Sequence, residues 1–147
     1  MYIIQAFIGK LNNFSLLTGQ TVNFVNIEQG FTLIPVNKSF QRGFGIETFG
    51  VIEPNNQSLE GITSFGTLAS NTGKVAYIEA EFFAGEGMQG AIMFDHGIIF
   101  SSPLKSKSAI NVALKFLGVS KLSYVDEFEA IGLGKYRKTE DWIKLKN

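Results

Sequence analysis

The chain of 147 residues has no cysteine and a single histidine. The first absence excludes disulfides, thiolate nucleophiles, zinc–thiolate sites and iron–sulfur ligation; the second excludes a multi-histidine metal centre. Charge is also scarce, with 18% of residues Asp, Glu, Lys or Arg against about 25% in an average soluble domain. Thirteen basic residues balance thirteen acidic ones, so no net field draws the chain towards nucleic acid or an anionic membrane. No run approaches the roughly 20 apolar residues of a membrane span, because Asp95 and His96 interrupt the most hydrophobic region, around Ile92 and Ile99. The opening Met1-Tyr2-Ile3-Ile4-Gln5-Ala6-Phe7-Ile8 has no basic residue before its apolar stretch and reads as a strand, not a secretory signal. The expectation is a cytoplasmic protein with no cofactor, no metal site, no nucleic-acid partner and no membrane partner.

Glycine and phenylalanine are plentiful, at sixteen and fourteen residues, a pairing that suits short strands joined by tight turns. The length fits one domain over residues 1–147. The expected fold is α+β, a mainly antiparallel sheet with two principal helices packed against it. Strands are predicted over 2–8, 22–27, 31–36, 75–84, 91–94 and 98–101, with 46–52 extended and a turn at 53–56. In 75–84, a period of two places Ala76, Ile78, Ala80 and Phe82 on a core face and Tyr77, Glu79, Glu81 and Phe83 on the other. Helices are predicted over 58–69, capped by Ser58, and over 108–117, capped by Ser108 and ended by Gly118. Residues 126–131 suggest a short helix, and Thr139 caps a terminal turn that Trp142 anchors. Segments 10–20 and 37–45 stay open between loop and short helix. Five cations, Lys135, Arg137, Lys138, Lys144 and Lys146, outnumber Glu140 and Asp141 at the C-terminus.

Several motifs invite a chemical reading and fail on context. Gly85-Glu86-Gly87-Met88-Gln89-Gly90 is a literal G-x-G-x-x-G, but a strand instead of a helix follows it, so a glycine-rich hairpin loop is expected in place of a dinucleotide site. Gly132-Leu133-Gly134-Lys135 lacks the spacing of a phosphate loop. Asp95 and His96 are adjacent in a tight turn and are expected to point apart. Glu79 and Glu81 share a strand face about 6.6 Å apart, which evokes the paired carboxylates of a glycosidase, yet neighbours on one face share an environment and their pKa values are not driven apart. Flanked by Tyr77 and Phe83, they instead compose an acidic patch edged by aromatics, the make-up of a contact surface. Tyr77, Glu79, Glu81, Phe83, Glu86 and Gln89 are therefore the expected partner-binding residues, with no catalytic residue assigned.

The run Tyr77-Ile78-Glu79-Ala80-Glu81-Phe82-Phe83-Ala84-Gly85, then Gln89-Gly90-Ala91, Ala109-Ile110-Asn111-Val112-Ala113-Leu114, Asp126-Glu127-Phe128-Glu129, Gly132-Leu133-Gly134-Lys135-Tyr136-Arg137 and Thr139-Glu140-Asp141-Trp142 resembles a group of small, uncharacterised bacterial proteins. Some of these are similar to the immunity proteins of polymorphic toxin systems. The resemblance covers the second half of the chain and implies a cytosolic protein that neutralises a partner protein without chemistry of its own. The functional expectation is thus a non-enzymatic binding protein whose partner is another protein. A small hydrolase using Glu79 and Glu81, or a small-molecule module using a cavity between sheet and helices, are the alternatives, and homo-oligomerisation stays open.

Overall fold

The computed structural model describes residues 1–17, 22–53 and 55–143, with backbone alone for 15–17. Pro54 in the expected turn, the end of segment 10–20, and Lys144 and Lys146 of the basic tail lie outside the described residues. The strands are β1 (Tyr2–Lys10), β2 (Val25–Asn26), β3 (Phe31–Pro35), β4 (Lys74–Phe83), β5 (Glu86–Asp95), β6 (Ile98–Ile99) and β7 (Leu104–Ser106). The helices are α1 (Lys38–Phe44), α2 (Asn56–Ala69), α3 (Ala109–Leu117) and α4 (Glu127–Ala130), with 3-10 turns at Leu11–Leu17, Glu28–Gly30, Leu133–Lys135 and Thr139–Trp142. The sheet runs β2-β3-β1-β4-β5-β6, and β7 pairs with the other half of the same edge of β5. Its strand pairs are antiparallel. The α+β expectation holds. No helix of the described residues is long and apolar enough to cross a membrane.

Both faces of the central strands are buried, which overturns the expectation that Tyr77 and Glu79 lie on an exposed contact face of β4. On one side Ile4, Ala6, Ile8, Ala76, Ile78, Ala80, Ala91 and Met93 pack against Ile110, Ala113 and Leu114 of α3, with Leu133 and Trp142 completing the cluster. On the other, Phe7, Val75, Tyr77, Ile92 and Phe94 pack against Ile62, Phe65 and Ala69 of α2 and Phe40 of α1. Phe7 sits at the centre, its ring 4.7 Å from Phe65, 5.2 Å from Tyr77 and 5.9 Å from Phe40. Alternation cannot reveal this second layer, since a strand covered on both faces reads as one apolar run.

Local chemistry explains most boundaries and corrects several expectations. Asn55, not Ser58, caps α2, accepting from Ser58 N at 2.8 Å. The Ser58 hydroxyl instead accepts from Glu47 N at 2.9 Å and Thr48 N at 3.2 Å. Asn37 caps α1 through Phe40 N, and Asp126 caps α4 through Glu129 N. Ser108 makes no side-chain cap on α3, and the Thr139 hydroxyl accepts from Gln5 N at 3.0 Å, tying the C-terminal segment to the part of β1 that β3 does not pair. Two glycines that should weaken α2 permit close packing: a Cβ on Gly61 would lie 2.3 Å from Phe44 O, and one on Gly66 would lie 2.2 Å from the Phe94 ring. The predicted 22–27 and 98–101 strands shrink to Val25–Asn26 and Ile98–Ile99, and 46–52 forms a looped segment outside the ladder.

Candidate functional site

The G-x-G-x-x-G segment is strand, not loop. Ala84 and Gly85 alone make the turn, with φ of 52° and 80°, and Phe83 pairs directly with Glu86. Both positions sit in the left-handed region, as the tight primed hairpin turns require. The third glycine of the motif has a packing role. Gly90 lies opposite Glu79, and a Cβ there would come within 2.8 Å of Val51 and 2.9 Å of Glu79 Cγ. Its bareness lets the looped segment descend onto the sheet over the Glu79 carboxylate.

Glu79 is fully buried. Its Oε2 accepts from Gly50 N at 3.0 Å and from the Tyr77 hydroxyl; its Oε1 accepts from Val51 N at 2.8 Å and from Ile52 N. Three successive backbone N–H groups thus form an anion-holding nest of the kind that turn conformations present. The loop strand they belong to pairs with no neighbouring strand, so the carboxylate supplies the acceptors these buried donors need. The chain of bonds continues outward: Gln5 Nε2 donates to the Tyr77 hydroxyl at 2.9 Å and to Thr48 O at 3.2 Å, and Gln41 Nε2 donates to Gln5 Oε1 at 3.0 Å. Lys105 Nζ holds Ile52 O at 2.9 Å from β7. Among the described residues no cation lies within salt-bridge distance of Glu79. Burial pushes its carboxyl above the ordinary value, and the four donated bonds offset that only in part. Burial and the neighbouring Glu79 charge push the Tyr77 phenol up as well.

Of the six residues expected at a contact surface, two are therefore structural: Tyr77 and Glu79 fasten the 46–53 segment to the sheet. Gln89 is drawn inward too. Its Oε1 accepts from Ile110 N at 2.9 Å and so caps α3 from the neighbouring strand. The remaining three stay at the surface. Beyond Glu79 the strands run on past the cover of α2 and the 46–53 segment, and their shared face carries Glu81 opposite Ile3 and Met88, then Phe83 opposite Glu86. Phe83 is half exposed and Glu86 exposed. No cation of the described residues pairs with either carboxylate.

Other expected features also find their places. His96 and Asp95 do touch, with Nδ1 to Oδ1 at 2.6 Å, because the left-handed φ of 50° at His96 swings its ring back over its neighbour. Lys135 and Tyr136 lie beside Trp142, which is buried with its ring edge-on to Tyr136 at 4.9 Å. A shallow cleft of about 410 Å³ opens between Val125, Asp126, Phe128, Glu129, Gly134 and Lys135, away from the sheet–helix layers where a small-molecule cavity was expected. Sequence reasoning missed the nest of Gly50, Val51 and Ile52 entirely; the lone Gly50 between the apolar residues Phe49 and Val51 was a faint signal at most. Comparison with protein-family models, curated proteins and solved structures gives no match.

Proposed function

We propose that the protein is a non-enzymatic, cytoplasmic binding protein that grips a partner protein with the uncovered end of its sheet, through Glu81, Phe83, Glu86 and Met88. The observation that carries this reading is the overhang: the cover supplied by α2 and the 46–53 segment stops at Glu79 while the β4–β5 hairpin continues, leaving two carboxylates with no salt-bridge partner among the described residues around two apolar side chains. An apolar anchor ringed by charge is the composition of a specific contact. The sign of the charge selects a partner that presents an apolar side chain among lysines or arginines. The resemblance to immunity proteins favours a toxin as that partner. The hydrolase alternative needs both Glu79 and Glu81 to reach a substrate, and the four donors on the buried Glu79 weigh against it.

A photo-crosslinking residue at position 83 would identify the partner, and the two purified proteins would then be titrated. Glu81→Lys and Glu86→Lys should each weaken binding by about tenfold or more and slow association, with the effect shrinking in high salt. Lys115→Glu on the exposed side of α3 should leave affinity unchanged. Equal affinity for all four proteins would refute the surface. Substrate turnover abolished by Glu81→Gln would refute the non-enzymatic reading.

A further inference from the structure

The opposite end of β5 carries a second, unrelated surface. The turn at His96 and Gly97, with φ of 50° and 79°, delivers β6 as a short outer strand. Asp95 pairs with Ile98 and Phe94 with Ile99, and Phe100 N donates to Met93 O at 2.7 Å. Antiparallel ladders alternate inward and outward bonding, so the N–H and C=O of Ile99 point away from the sheet. The side chains beside this open edge are apolar on both faces. Ile98 is 68% exposed, Ile99 42% and Phe100 62%. Phe100 lies on the α3 side against Phe116 at 4.9 Å between ring centroids. On the other face Ile99 sits opposite Phe94, which packs against α2, the helix that carries exposed Leu68. Shortness is the one protection this edge has, since residues 98–100 carry no lysine, proline or bulge to prevent pairing.

We infer that β6 is the interface of a two-fold homodimer, in which two copies pair antiparallel about Ile99. The register is self-complementary. Ile99 meets Ile99 of the second copy through its two outward backbone bonds, while Ile98 meets Phe100 and Phe100 meets Ile98, an aromatic to β-branched pairing on the α3 face. A two-fold axis brings each residue near it close to its own copy. The run Ile98-Ile99-Phe100-Ser101-Ser102 holds no charge to be repelled there. Pro103 and the turn at residues 96–97 end the pairing on either side, so the edge is used up by one partner and does not propagate. The three side chains leave on the order of 300 Å² in solvent per copy. Twice that is the apolar share of an interface of about 1,100 Å², the lower end of specific contacts. The dimer is accordingly weak and concentration-dependent.

Sedimentation velocity from about 1 µM to about 1 mM should show the full chain passing from monomer to dimer. Ile99→Lys and Ile99→Glu should each weaken association by about tenfold or more, and an equimolar mixture of the two should recover a dimer, because position 99 faces itself. The chain has no cysteine, so Ile99→Cys gives a clean second test. Cα atoms of a hydrogen-bonded pair lie about 5.5 Å apart, within disulfide range, and mild oxidation should convert this variant to a covalent dimer while a Val112→Cys control stays monomeric. A wild type that remains monomeric over the whole range, dimerisation undiminished in the lysine variant, or a cysteine variant that fails to cross-link would each overturn the inference. None of these outcomes touches Glu81 or Glu86, so the hairpin surface stands or falls separately.

Discussion

Removing the Glu79 side chain should be among the most damaging single changes available in this protein. Glu79→Ala strands the N–H groups of Gly50, Val51 and Ile52 and the Tyr77 hydroxyl, all buried. At about 1–3 kcal/mol per unpaired buried donor, four donors give an upper figure near ~12 kcal/mol. The loop can lift and admit water to some of them, so a loss of about 3–5 kcal/mol is the expected outcome, a large part of the ~5–15 kcal/mol that holds a domain folded. Glu79→Asp should recover little of it, since the carboxylate is retained but drawn back by one methylene from the loop. The single tryptophan, buried Trp142, reports urea unfolding. Amide hydrogen exchange then localises the damage, with residues 50–52 losing protection first and α3 last. A destabilisation below about 1 kcal/mol with those three amides still protected would refute the idea that the carboxylate holds the loop.

The pH dependence has a definite sign. Burial holds the Glu79 carboxyl above its ordinary value, so the folded chain keeps the proton to higher pH than the unfolded chain. This group's contribution is fully present below the ordinary carboxylate pKa and is lost as pH rises through the folded value. The stability of wild type minus that of Glu79→Gln should therefore fall with rising pH across that window, and a flat or rising value would contradict it. Gly66→Ala should destabilise by about 1–3 kcal/mol on thermal or urea melting, despite the gain of about 1 kcal/mol in helix propensity, because its Cβ would fall 2.2 Å from the Phe94 ring. An unchanged or raised midpoint would refute the close-contact explanation. Gln89→Ala removes the cap that β5 supplies to Ile110 N and should cost about 1 kcal/mol, seen as faster exchange in the first turn of α3.

Much of the secondary structure was legible because its signals are local. The i, i+3, i+4 spacing of Ile110, Ala113 and Leu114, closed by Gly118, gives α3 whatever surrounds it, and Asp95-His96-Gly97 gives its turn in the same way. The candidate surface was legible only in part. A period of two correctly puts Glu79, Glu81 and Phe83 on one face, but no local signal says how far along that face the cover extends. That boundary falls between Glu79 and Glu81, and it turns one carboxylate into a fastening for a loop and leaves the other in solvent.

Composition and periodicity by themselves determined the α+β class, the two principal helices and the exclusion of thiolate and multi-histidine chemistry, because each depends on residue type and near-neighbour spacing. Only the tertiary structure decided that the sheet is covered on both sides, that Gln89 caps a helix and that Gly90 makes room for a descending loop. Those facts join residues such as Val51, Glu79 and Gly90, or Gln89 and Ile110, whose separation along the chain carries no pattern. What a buried polar group does is set by the partner that reaches it in space.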